Sequence, residues 1–372
     1  MSLRNFSIRE LKTLIVVATV LHSSGAAAGN WPDFSLNGFG TLGVLHSDYA
    51  QGDFVTSSYF NPSGVGFSRA WGTDQDSKLG VQLTATYADR FTAVVQVVSK
   101  LGYDNTFTPQ LEWANLKYDI TPEWSVRIGR VVLPTFLSSE TEDVGYVNPW
   151  VRTPAEILIQ LPETTSDGVE VAYHVHVGEV SNRLQAVYGT NKSNLPDDVI
   201  FENTGIKALT DTIEYGSATI HVSYQKMHYS AGYPFIANPQ YAFSCVELGL
   251  VYDPGRWYVT GELFNTHDEL VGNTEAWYLG GGYRLGKLAL YSALSAIEQT
   301  SLGSWGASPL FDQRTPMAGM RWDFMKNVDA KLQYERERIG SLLFPTSFVN
   351  LQPGAHLGDS AHVLSLTVDF VW

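Results

Sequence analysis

The feature that most constrains this 372-residue sequence is the rhythm of its connections. Segments with an apolar residue at every second position are joined alternately by short turns and long loops. The clearest spans 78–99. There Leu79, Val81, Leu83, Ala85 and Tyr87 alternate with Lys78, Gly80, Gln82, Thr84 and Thr86, and after Ala88-Asp89-Arg90 the pattern resumes at Phe91, Ala93, Val95 and Val97. A period of two is that of a strand with one apolar face, and a one-residue slip would exchange the faces. The last residues repeat it: Leu364, Leu366, Val368, Phe370 and Trp372 oppose Ser365, Thr367 and Asp369. Short turns fall at 88–90, 119–123, 178–182, 210–216, 253–256, 285–287 and 325–329. Longer connections fall at 47–77, 100–110, 131–166, 190–203, 229–240, 266–274, 296–312 and 339–361. Fifteen such connections predict sixteen antiparallel strands, with every short turn at one end. The pattern is weakest around 204–211, and the glycines Gly38, Gly40 and Gly43 leave the first strand, Phe34–His46, without a declared face.

An even number of tilted strands, short turns at one rim and long loops at the other describe a transmembrane β-barrel of the bacterial outer membrane. Each strand has the ~9–11 residues needed to cross a bilayer at a tilt. Composition agrees. Charged residues are only 17%, aromatics reach 13%, and there are 33 glycines. No run of 18 apolar residues occurs and mean hydropathy is −0.08, which excludes a helical membrane protein. A net charge of −14 argues against a nucleic-acid partner. Cys245 is the single cysteine, so an exported fold must be closed by strand pairing rather than by disulfides. Tyr87, Phe91, Tyr118, Trp124, Tyr252, Trp257, Tyr283, Trp322, Phe324 and Trp372 all sit beside a short turn or the C-terminus, as an interfacial aromatic ring requires.

Residues 1–28 read as an address. Arg4, Arg9 and Lys12 precede the apolar stretch Leu14–Leu21, and Ala26-Ala27-Ala28 ends it, the three parts of a cleaved signal peptide. Cleavage after Ala28 leaves a barrel of residues 29–372. Three bases and one acid are removed, which takes the net charge from −14 to −16.

With these elements in place the chain resembles the Gram-negative porins over its whole mature length. Arg127-Ile128-Gly129-Arg130-Val131-Val132-Leu133-Pro134 is similar to the Gly-Arg-x-x-x-Pro segment that ends strand 5 in many of them. The terminal strand, with Phe370 and Trp372, resembles the family's outer-membrane insertion signal, although most members end in Phe. The resemblance implies a loop 3 folded into the barrel, assembly as a homotrimer, contact with outer-membrane lipid, lipopolysaccharide and the insertion machinery, and passage of small hydrophilic solutes without a cofactor or a chemical step.

If the apolar parity faces lipid, the opposite parity lines the lumen. A charge at the lipid-facing midplane costs ~2–4 kcal/mol, so Lys117, Arg127, Arg183, Arg321 and Lys331 are expected on the pore wall, in a water-filled interior. The long segment 131–166 is the candidate constriction, with Glu140, Glu142, Asp143 and Glu156 against Arg152. Acids on this loop facing bases on the wall would set a transverse field that sorts solutes by width and charge. His174 and His176 share a strand face, but no third metal ligand stands out. Two alternatives remain. An adhesin or structural barrel predicts a plugged lumen. A barrel hydrolase needs a nucleophile, base and orienter, and no Gly-x-Ser-x-Gly elbow is present.

Overall fold

The computed structural model describes residues 31–56, 63–161, 163–194, 199–232, 238–306, 311–342 and 346–372; the expected signal peptide lies outside the described residues. Sixteen long strands form one antiparallel barrel. They are β1 Asp33–Ser47, β2 Lys78–Tyr87, β3 Phe91–Lys100, β4 Gln110–Asp119, β5 Trp124–Val132, β6 Thr165–Val177, β7 Val180–Asn194 and β8 Ile200–Tyr215. The second half comprises β9 Ala218–Gly232, β10 Tyr241–Tyr252, β11 Trp257–Asp268, β12 Gly272–Leu285, β13 Leu288–Gln299, β14 Asp312–Met325, β15 Val328–Arg338 and β16 Ser360–Val371. Closure falls on β1. It pairs with β2 from Asp33 to Thr41 and with β16 from Phe39 to Ser47. That stagger within one strand is what a tilted, sheared barrel requires.

Burial is inverted relative to a soluble protein. On β16, Leu366 is 49% exposed while Ser365 and Thr367 are fully buried. The same inversion holds on β15, where Leu332 and Tyr334 face out and Lys331, Gln333 and Glu335 face in. The exposed aromatics Tyr87, Phe91, Trp124, Tyr252, Trp257, Tyr283, Trp322 and Trp372 gather at the short-turn rim.

Several boundaries differ from the pattern in the sequence because strands run further, and three differ most. β7 and β8 approach to within residues 195–199, and β8 continues to Tyr215, so its turn is 216–217 rather than 210–216. Gly205, at φ +59°, makes a bulge that shifts register between Thr204 and Lys207. The bulge breaks the parity of the segment that looked weakest. β11 and β12 leave only 269–271 between them, where a longer loop is expected. Long connections 48–77 and 339–359 cooperate at the outer mouth. Asp53–Phe54 pairs with both Val65–Gly66 and Phe348–Val349 over a small core containing Leu45, Tyr49, Ile339 and Val363.

Candidate functional site: a loop seated inside the barrel

The segment between β5 and β6 lies inside the barrel, fastened along one side of it. It enters past a backbone bond from Leu133 N–H to the Thr164 carbonyl. Thr210 donates to the Pro134 carbonyl at 2.8 Å, Ser223 to the Thr135 carbonyl at 2.8 Å, and Thr135 to Gln225 at 2.8 Å. Further along, Lys331 donates to the Gly145 carbonyl at 2.6 Å. Arg321 donates to the carbonyls of Tyr146 and Asn148 at 2.7 and 3.1 Å, and the Val151 N–H donates to Gln333 at 3.0 Å. These partners come from β8, β9, β14 and β15, so the loop is tied across much of the barrel's second half.

An apolar seat does more than these bonds. Phe136, Trp150, Ile157, Ile159 and Leu161 pack on inward-facing Tyr258, Phe264, Tyr278, Tyr291 and Ile297. Each fully buried large side chain contributes about 1.5–3 kcal/mol, against about 0.5–1.5 kcal/mol for a typical hydrogen bond. The apolar contacts therefore dominate, and the hydrogen bonds set register. Between the loop and this part of the wall the lumen is filled by apolar contact rather than water. On β8 to β14 many lumen-facing positions are apolar, and they need the loop to cover them.

The charged residues divide between a seat and an open edge. Lys331 is 1% exposed, bonded to Asp369 at 3.0 Å as well as to Gly145. Arg321 pairs with Asp323 at 2.8 Å and Asp329 at 3.0 Å. Expected on the pore wall, both sit beneath the loop and hold it. Arg152 points away from the other bases, to Glu335 at 2.7 Å and Asp76 at 3.3 Å, with its guanidinium 5.4 Å from the Phe54 ring centre. Glu156, 1% exposed, pairs with no base among the described residues. It accepts from Ser295 at 2.9 Å, from Gln313 at 3.1 Å and from Thr315.

Along the opposite edge the acids meet bases on the barrel's first half. Glu140 pairs with Arg183 at 2.9 Å, and Asp143 with Lys100 at 2.9 Å and Lys78 at 3.4 Å. Arg127 pairs with Glu170 at 3.1 Å and Lys117 with Asp119 at 2.8 Å. Burial raises Glu142 well above the ordinary glutamate range, and the neighbouring Asp143 charge adds to it. Burial also acts upward on Asp143, but Lys100 and Lys78 outweigh it and hold that carboxyl below the usual range. A cavity of about 330 Å³ on one side of this edge is lined by Lys78, Lys100, Glu142 and Asp143. A second, of about 300 Å³ on the other side, is lined by Lys117, Arg127, Glu140 and Arg183. Lys100 is the base that the sequence reading missed, because it appeared to begin a loop rather than to end β3. His174 faces the second cavity, and among the described residues no group of three or more His, Cys, Asp or Glu side chains is placed to hold a metal.

An exterior this apolar is stable only in lipid, and a closed sixteen-strand barrel with a long segment inside it has known counterparts. The chain superposes on the outer membrane channel DcaP of Acinetobacter baumannii with a TM-score of 0.62 at 13% identity, covering 94% of this chain and 100% of that one. The chain has the porin fold. This porin-fold barrel also matches the anion-selective porin of Comamonas acidovorans (TM-score 0.58, 13% identity, 92% and 100% covered). A third match is the in-vitro folded outer membrane protein OmpT of Vibrio cholerae in its trimer form (TM-score 0.57, 14% identity, 91% and 99% covered). No protein-family profile and no curated protein matches the sequence. The fold and the apolar exterior place the chain in the bacterial outer membrane.

Proposed function

We propose that this barrel is a passive diffusion channel for small hydrophilic solutes and ions, sorting them by size and charge between the loop edge Glu140–Asp143 and the wall of β2 to β7. One observation carries the reading: loop-edge acids pair directly with Lys78, Lys100 and Arg183 of the wall, and these charges, with Arg127, line two small water-accessible cavities. Fixed charges of opposite sign across a narrow gap make a transverse field, and a solute passes by matching both its width and its sign. The loop seat supports the reading, because a constriction must stay in place while ions pass. Of the bases expected on the wall, Lys117, Arg127 and Arg183 take part in selection, while Arg321 and Lys331 position the loop. No chemical step and no cofactor is involved.

The trimer form of the Vibrio structure supports a homotrimer here. Export through residues 1–28, and insertion guided by the terminal strand with Phe370 and Trp372, complete the proposal, with lipid and lipopolysaccharide around the barrel and the insertion machinery as a transient partner. Planar-bilayer recording of the purified, refolded protein in a KCl gradient is the test. Stepwise conductance with a nonzero reversal potential is expected. A folded barrel that gives no steps refutes the channel and favours an adhesin or structural role.

A further inference from the structure

The outer connections 48–77 and 339–359 do more than meet one another: together they form a cap that reaches down to the seated loop. Phe54 to Thr56 face Arg152 and Pro154 to Glu156 across a narrow crevice. The Phe54 ring centre lies 5.4 Å from the Arg152 guanidinium, and Asp76, at the end of the same connection, pairs with Arg152 at 3.3 Å. From the other connection, the Ser347 hydroxyl accepts from the Gln313 amide at 3.3 Å. That amide also donates to Glu156 of the loop at 3.1 Å. Cap and loop therefore share partners at two points, Arg152 and Gln313.

One buried carboxylate ties the cap together. Asp53 is fully buried and accepts from the Ser68 N–H at 2.8 Å, the Ser68 hydroxyl at 2.6 Å and the Asn350 amide at 2.9 Å. Ser68 belongs to the first connection and Asn350 to the second, so the same carboxylate fastens both. The two-residue strands on either side of it are too short to hold by themselves, whereas bonds to an ionised acceptor are about twice as strong as neutral ones. The next residue is Phe54, flanked by the Phe348 ring at 5.8 Å and by Arg152. Thr56 donates to the Gln75 carbonyl at 2.7 Å, which keeps Asp76 beside the same arginine. Loss of the Asp53 charge would release Phe54 and Asp76 together, and Arg152 would keep only its wall partners, Glu335 and Ser365.

We infer that Asp53 and Phe54 are positioning residues for the constriction: the outer cap clamps the seated loop through Arg152, so that a disturbance at the outer surface reaches the pore. Coupling of this kind needs packed side chains and ion pairs with two discrete arrangements, and Arg152 supplies them, held by the cap or left to the wall. The inference rests on the channel reading only for its effect on current; the clamp is a property of the fold.

Hydrogen exchange of the purified full-length protein in detergent, read by mass spectrometry over residues 145–158, tests this beside single-channel recording. Asp53→Ala should speed exchange there by about tenfold, the effect of one lost charge-assisted hydrogen bond passed on to the loop, and should add upward steps to the current. Phe54→Leu keeps an apolar side chain but removes the ring face, and should act in the same direction to a smaller extent. Because both act through Arg152, neither should add to Arg152→Ala when combined with it. Exchange over 145–158 that stays at the parent rate in both variants overturns the inference. So does an Asp53→Ala effect that adds in full to that of Arg152→Ala, because the cap would then act without the arginine. A parent barrel that gives no current refutes the channel reading alone, and the exchange rates still decide the clamp.

Discussion

Arg152→Ala is the sharpest test of how the loop is held. Its guanidinium side chain is 11% exposed and lies between Glu335 and Asp76, each 6% exposed, with a further bond to Ser365. Truncation leaves two enclosed carboxylates without their cation. Breaking a buried pair in this way costs about 3–5 kcal/mol. The barrel's strand ladders do not involve Arg152, so the cost falls on the loop, which can escape it by lifting and admitting water to both acids. That energy is comparable to the burial of one or two of the loop's apolar anchors. The seated form therefore loses most of its advantage without a change in the barrel. Single-channel recording should show a larger and noisier current, while the temperature at which the folded barrel loses its compact gel mobility moves little. Arg152→Lys keeps the charge but not the fork, and should fall between. A steady Arg152→Ala current at the parent value would refute the reasoning, since the ion pairs would then not be what keeps the loop down.

Other outcomes follow from the same geometry. Arg127→Glu sets a second carboxylate against Glu170, and the reversal potential in a KCl gradient should move towards cations; no movement removes Arg127 from the selecting edge. Because Glu142 titrates above the ordinary glutamate range and Asp143 below it, lowering the pH from neutral should first discharge Glu142. Cation preference should then fall in a step that Glu142→Gln abolishes, whereas a step retained in Glu142→Gln points to another group. Deleting Trp372 removes the ring stacked on Phe370 and the pair of backbone bonds to Gly38, and folded protein in the outer membrane should drop sharply. Normal levels there would dismiss the insertion role.

The barrel itself was open to reading because its physics is local. Period-two alternation and turn length are properties of neighbouring residues, and Leu364 to Trp372 declare their face without help from the rest of the chain. The errors fell where the local signal is interrupted, as at the Gly205 bulge. The site was only partly legible. Of the loop acids and wall bases expected there, Glu140 and Arg183 form an ion pair, while Asp143 pairs with Lys100 and Lys78, and Arg127 with Glu170. Nothing in the sequence distinguishes Lys331 or Arg321 from them, because parity says which way a side chain points but not what lies above it. The covered apolar wall could have been suspected from Phe264, Tyr278 and Tyr291, large apolar residues on the lumen parity of strands whose other face is also apolar.

Closure on β1 also sets the order in which the barrel can be completed. Thr41 donates to Asp369 across 328 residues of sequence, between the strand made first and the strand made last. Until β16 exists, β1 offers along its Phe39–Ser47 stretch a row of unpaired backbone groups, an edge prone to join any other chain. Hairpins such as β2–β3 can form as they are made, since their contacts are near in sequence. The seam is the most distant contact and the slowest to find. Its formation removes the last open edge at once, so completion is all-or-none, and a chain shortened before β16 remains an open sheet.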